Sequence, residues 1–289
     1  MMSVTAPTDF SAWIGRRELV ADPLAPTQAL AAAAMLDLDP TPYDIGGALP
    51  TLWQWFYFLP RAPQARLSGD GHPERGDFLP PIPLPRRMFA GSRVTVHRPL
   101  RLGHPAVREG TIANVTLKQG KSGALAFVTV EYRFVQDGTV CIEEAQDIVY
   151  REPGAPVAAP TPAQLPPLPD GAWERSVTPD TRLLFRFSAL TFNAHRIHYD
   201  RPYAMHEEGY PGLVVHGPLT AVLLADLVRR HSARPLTGFA FTGRAPLFDG
   251  AAVRLDGQPA GDTVALTATA PDGTAALTAT ATLGALTTA

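Results

Sequence analysis

The chain has 289 residues, of which 45% are hydrophobic and 18% charged, a composition that supports one large globular domain or two smaller ones. Its formal net charge of −2 supplies no basic field, which argues against nucleic acid or an anionic membrane as a partner held by bulk attraction. The single cysteine, Cys141, excludes an intrachain disulfide and most cysteine-based metal sites; it lies in an alternating segment and reads as a buried, inert thiol.

The segment Met1–Trp13 has neither a basic leader nor an apolar stretch of signal type. The longest apolar tract, Ala29–Leu36, falls well short of the roughly 20 residues that span a bilayer. A soluble, cytoplasmic protein is expected. Helices are predicted at Ser11–Ile14 and Pro26–Leu36, the latter on the propensity of its alanine run. Leu49–Leu59 is apolar nearly all round and predicts a third, buried helix. Residues 61–86, rich in proline and glycine, read as a long loop.

Period-two patterning then predicts strands at Arg93–His97, Gly110–Leu117, Ala124–Val135 and Val140–Tyr150, joined by turns such as Gln136-Asp137-Gly138 and Lys118–Gly123. Seven prolines between 153 and 170 mark a linker or covering segment. Beyond it come a predicted strand at Leu183–Ala189, a helix at His216–Arg230, and strands at Gly238–Ala245, Ala252–Leu255 and Thr263–Leu283, the last broken at Pro271-Asp272-Gly273. Both halves run from a glycine-containing turn through a buried helix to an aromatic-glycine strand. That order suggests an internal duplication, each copy an antiparallel sheet wrapped on a helix.

Chemistry concentrates in one stretch. FNAHRIHYDRPYA sets Asn193, His195 and His198 within six positions, and Asp200 precedes Pro202 as a helix cap would. Histidine titrates near neutrality, so His198 can take a proton from water and return one to carbon within a turnover. Downstream, LVVHGPLTA opens a helix at Gly217-Pro218, where free backbone amides favour developing negative charge. An enolate oxygen could be held there by the amide of Gly217.

These segments resemble the MaoC-like hydratase/dehydratase family, whose signature runs Asp-any-Asn-Pro-(Leu or Ile)-His with an acid two residues later and an aromatic-Ala ending. Ile197, His198, Asp200, Tyr203 and Ala204 agree with it; Asn193 stands for the aspartate, His195 for the asparagine and Arg196 for the proline. The resemblance is strongest to the double hot-dog branch, which includes mesaconyl-C4-CoA and itaconyl-CoA hydratases and a fungal mitochondrial 3-hydroxyacyl-thioester dehydratase. LPRRMFAGSRVTVHRPLRLG and GKSGALAFVTVEY carry it into the first half.

The resemblance implies an α+β double hot-dog. Residues 1–152 would form a degenerate half without the catalytic motif, 153–170 the proline-rich linker, and 171–289 the half that carries the motif. It implies a hydro-lyase acting on an α,β-unsaturated acyl-CoA, such as a branched C5 dicarboxylyl-CoA, with no metal or cofactor. The alternatives are a fatty-acid 3-hydroxyacyl-thioester dehydratase and a non-catalytic acyl-CoA-binding protein.

On this reading His198 is the acid–base, Asn193 orients water and Gly217 polarises the thioester. Arg196 either grips a substrate carboxylate or pairs with a neighbouring acid. His195 and His216 complete the substrate-contacting set, His216 alternatively serving as a structural hydrogen-bonder. Tyr199 and Tyr210 either line the pocket or pack in the core. Arg87, Lys118 and Lys121 are candidate contacts for coenzyme A, or simply solvated cations. The assembly is expected to be a monomeric double hot-dog or a homodimer.

Overall fold

A computed structural model describes residues 9–120 and 123–286. Ten strands form one continuous antiparallel sheet: β1 (Arg17–Asp22), β2 (Arg86–Val96), β3 (Ala106–Gly120), β4 (Gly123–Gln136), β5 (Thr139–Arg151), β6 (Trp173–Val177), β7 (Leu236–Gly243), β8 (Val253–Ala260), β9 (Thr263–Thr269) and β10 (Ala275–Leu283). Their order is β1-β3-β4-β5-β2-β7-β10-β9-β8-β6. Read from each outer edge inward, the two halves have the same order, first strand, third, fourth, fifth, second. This repeat is the structural form of the duplication seen in sequence.

The halves meet where β2 pairs with β7, from Gly91 opposite Thr242 to Thr95 opposite Gly238. Gly91 permits that approach, because a Cβ there would lie 2.5 Å from the carbonyl oxygen of Phe241. Three α-helices lie against the sheet: α1 (Pro26–Met35), α2 (Thr181–Thr191) and α3 (Gly217–His231). Every residue of α3 from Leu219 to Val228 is buried, Asp226 included. The Asp226 carboxylate is held by Arg175 at 2.6 Å and Arg230 at 2.7 Å, so its charge is paired. None of the described helices is long and apolar enough to cross a membrane.

Two sequence expectations are corrected. The strand predicted at Leu183–Ala189 is helix α2. Leu184, Phe187 and Ser188 are its buried residues, a spacing of three and four, and Phe185, which made the run seem to alternate, is 67% exposed. Asp180 starts the helix by accepting the Leu183 N–H at 2.9 Å. The long helix predicted at Leu49–Leu59 is a single 3₁₀ turn, Trp53–Phe56, bounded by left-handed residues Leu52 (φ 75°) and Phe58 (φ 52°). This turn follows α1 in chain order as α3 follows α2, and it packs on α1 and α2. Glu144 anchors it, accepting from Trp55 Nε1 at 2.9 Å and Ser92 Oγ at 2.8 Å. Edge strands β1 and β6 were not expected from sequence: their burial alternates, but the inward positions include Glu18, Asp22 and Arg175, so no apolar alternation marks them.

The proline-rich stretch forms no helix or strand and lies over the second half. Val157 N–H donates to Gly209 O at 2.8 Å, and Ala163 N–H to Pro271 O at 2.9 Å.

Candidate active site

The motif follows the C-terminus of a helix, not the strand end that was expected. Helix α2 ends at Phe192 in the left-handed region (φ 50°), which reverses the chain. Asn193 holds the reversal with its side chain, whose Oδ1 accepts the His195 N–H at 3.0 Å. A 3₁₀ turn, Arg196–His198, comes next. Asp200 then caps the following helical turn by accepting the Tyr203 N–H at 3.1 Å. With both flanks tied, His198 has a fixed backbone from which to act.

His198 is buried, and its Nδ1–H donates to the Val214 carbonyl at 2.7 Å. A carbonyl can only accept, so this contact places the proton on Nδ1 and leaves the Nε2 lone pair to take a proton. Among the described residues the bond from Nδ1 is the one hydrogen bond given to the ring, and Nε2 has none. Burial pushes the His198 pKa down to about 4, although the bond to Val214 works the other way. The ring is therefore neutral, and competent as a base, at neutral pH.

Four imidazoles form a continuous row of ring contacts, of which the His198–His216 pair is stacked. His198 lies on His216 with centroids 3.6 Å apart and planes 19° from parallel. Its edge meets His195 at 5.4 Å, and His195 packs on His72 at 4.0 Å. At one end His216 Nε2 pairs with Ser188 Oγ at 2.8 Å. At the other, His72 Nδ1 meets Asp70 Oδ2 at 2.9 Å. Burial foremost, then neighbouring positive groups, lowers the pKa of His195 and His216 and brings His72 to about 4. Burial would raise the Asp70 carboxyl, but the hydrogen bond and charge of His72 outweigh it and hold Asp70 below the usual carboxylate range.

Asp70 and His72 come from the first half and were not among the residues singled out in sequence. Asp70 also lines a cleft of 520 Å³, whose walls include Ser68, Glu74, Arg75, Tyr203 and Glu208. The loop bearing them is fastened to the motif. Arg196 N–H donates to Asp70 O at 2.9 Å, and Arg196 Nη1 to Gly69 O at 3.0 Å. The run Gly69-Asp70-Gly71-His72-Pro73, an aspartate and a histidine two apart in a glycine-containing turn, was the available signal.

The remaining candidates are dispersed. Arg196 pairs with Asp200 at 2.8 Å and stacks on Tyr203 at 4.0 Å, so its guanidinium is committed to the protein. Tyr199 is 51% exposed and turns its hydroxyl back to Ala194 O. Tyr210 is buried against Phe248. His216 is 1% exposed, too deep for substrate, and acts as the surface on which His198 rests. Gly217 is the first residue of α3, so its N–H has no acceptor within the helix.

Arg87 stands opposite the buried Tyr150 on β5, and its charge reaches His72 and His195. Lys118 is exposed on β3 in register with Leu125, Arg151 and Arg86; three strand spacings, about 14 Å, separate it from Arg86. Lys121 lies outside the described residues. Asp70, His72 and His195 each place a donor atom within 4.8 Å of the others, a spacing suited to a cation. Asp70 Oδ2 and His72 Nδ1 already satisfy each other, so a cation would have to displace the proton between them.

The fold and the His198 motif together define a double hot-dog protein of the MaoC-like hydratase and dehydratase class. The chain belongs to the family described as hydroxyacyl-thioester dehydratase type 2, which it matches over residues 52–249. It is 64% identical over 265 residues to mesaconyl-C(4)-CoA hydratase of Chloroflexus aurantiacus, covering 92% of this chain and 94% of that protein. Over 200 residues it is 28% identical to the mitochondrial hydroxyacyl-thioester dehydratase type 2 of Schizosaccharomyces pombe, covering 61% of this chain and 66% of that protein. A Mycobacterium tuberculosis protein described as having a double hotdog fold superposes with a TM-score of 0.57 at 13% identity, covering 94% of this chain and 96% of that one.

Proposed function

We propose that this protein hydrates the double bond of a branched C5 dicarboxylyl-CoA, mesaconyl-C4-CoA foremost, to give citramalyl-CoA. The observation that carries the mechanism is the His198 Nδ1–Val214 O bond, which leaves Nε2 as a free base. The substrate rests on the 64% identity to a mesaconyl-C(4)-CoA hydratase.

Water gives one proton to His198 Nε2 as its oxygen bonds to the β-carbon. The π electrons move onto the thioester oxygen as an enolate, which the free amide of Gly217 stabilises. The imidazolium then returns the proton to the α-carbon. One water is added, and nothing else is consumed. Asn193 cannot share the proton. With Oδ1 holding the turn, its NH₂ remains to orient the water.

On this reading residues 1–152 are the half without a catalytic centre, 153–170 the covering linker, and 171–289 the half with the acid–base. Arg87 is the best-placed of the candidate cations for an anionic portion of the ligand. The reading includes a cytoplasmic setting and a double hot-dog acting alone or as a homodimer.

The test is loss of enoyl absorbance with mesaconyl-C4-CoA, itaconyl-CoA and crotonyl-CoA, run alongside His198→Ala. Preferential turnover of a C5 dicarboxylyl thioester supports the proposal. Turnover of crotonyl-CoA alone would move the assignment to fatty-acyl dehydration, the activity named in the matched family.

A further inference from the structure

Position 193 is the uncharged Asn193, and the motif's one acid, Asp200, is paired with Arg196 at 2.8 Å, so the motif offers no free carboxylate beside His198. The row of histidines gains one from the other half. Asp70 Oδ2 meets His72 Nδ1 at 2.9 Å, and a carboxylate oxygen of Asp70 and ring nitrogens of His72 and His195 lie within 4.8 Å of one another. From His72 the contact passes to His195, whose ring lies 4.0 Å away and tilted by 38°, and then edge-on to His198 at 5.4 Å.

The loop is built to sit there. Gly71 lies so close to the motif that a Cβ on it would be 1.8 Å from the Ala194 carbonyl oxygen, and Arg196 is hydrogen-bonded to both Gly69 and Asp70. Asp70 borders the open cleft, whereas His216, at the other end of the row, is sealed against Ser188.

We propose that Asp70, acting through His72, is the anionic member of this active site: it supplies across the two halves the carboxylate that position 193 lacks, and stabilises the positive charge His198 takes on when it accepts the proton of water. Asp70 is a positioning residue, since it reaches the reacting atoms only through other rings. The inference rests on the hydratase reading above and deepens it. His198 faces His216, His195 and, at longer range, His72; the positive charge of Arg87 acts on His72 and His195. Asp70 supplies the negative charge that opposes it at His72 and His195.

The test uses Asp70→Asn, nearly isosteric: its Oδ1 can keep the backbone bond from His72 N–H, which holds the loop, while its NH₂ faces the His72 ring in place of the second carboxylate oxygen. Hydration kcat should fall about 10- to 100-fold, by the scale of a lost transition-state charge contact. KM should change less than threefold, and the acid limb of the kcat/KM profile should move to lower pH. Adding Asn193→Asp to Asp70→Asn should recover at least tenfold in kcat by placing an anion in the motif.

An Asp70→Asn variant with unchanged kcat and acid limb overturns the inference. So does a loss of kcat that Asn193→Asp fails to recover, because a purely structural role would behave that way. Should Asp70→Asn fail to fold, His72→Asn carries the same kcat and pH readouts. Full activity in His198→Ala would instead overturn the hydratase mechanism itself, which separates the two failures.

Discussion

Replacing Gly71 with alanine tests whether the site depends on contact between the halves. Gly71 has φ +91°, a conformation that side chains resist, and its added Cβ would stand 1.8 Å from Ala194 O, where at least 3.0 Å is needed. The loop must retreat by about 1 Å or more. The retreat strains the Arg196 N–H bond to Asp70 O and separates His72 from His195. Loss of one such hydrogen bond together with the backbone strain costs about 1–3 kcal/mol of stability. A displacement of about 1 Å near reacting groups lowers turnover about 100-fold. Thermal unfolding and steady-state hydration, measured on the same preparation, read the two effects. A Gly71→Ala protein with wild-type kcat would refute the reasoning, since the loop would then be free to leave the motif without consequence.

The other expectations concern protons and buried polar groups. Because burial holds His72 and His198 near pKa 4 against about 6.5 when unfolded, the unfolded chain binds more protons between those values. Stability is therefore full above pH 6.5 and falls as pH drops toward 4, by on the order of 3 kcal/mol for each of the two; unfolding by denaturant across that range measures it. The acid limb of kcat/KM should for the same reason lie nearer pH 4 than 6.5. Ser188→Ala leaves His216 Nε2 unpartnered and should cost about 1–3 kcal/mol, with a lower kcat as the base beneath His198 loosens. Asn193→Asp alone should fold, because a carboxylate can still accept the His195 N–H.

Much of the fold was legible because strands such as β4, β9 and β10 alternate over most of their length and because the halves repeat their order of parts. Helix α2 was misread since Leu183, Phe185 and Phe187 mimic a strand, and only tertiary packing shows that Leu184 and Ser188 face inward. The 3₁₀ turn at Trp53–Phe56 was misread because apolar content reports burial without reporting backbone geometry; left-handed Leu52 and Phe58 end the helix early. Within the site, His198, Asn193 and the Asp200 cap could be read from local spacing. Asp70 and His72 could not, because they reach His195 from more than 120 positions away in a loop with no periodicity. Arg196 was ambiguous for a related reason: its choice between a ligand and Asp200 depends on the helical turn that brings the two together.

Hydration of mesaconyl-C4-CoA, followed as loss of enoyl absorbance for the native chain and for His198→Ala, bears most directly on the central claim. The native protein should turn over steadily, and removal of the imidazole should lower the rate about 10²- to 10⁴-fold with the variant still folded. Equal rates for the two proteins, or tight binding of the thioester with no turnover by the native chain, would contradict the claim.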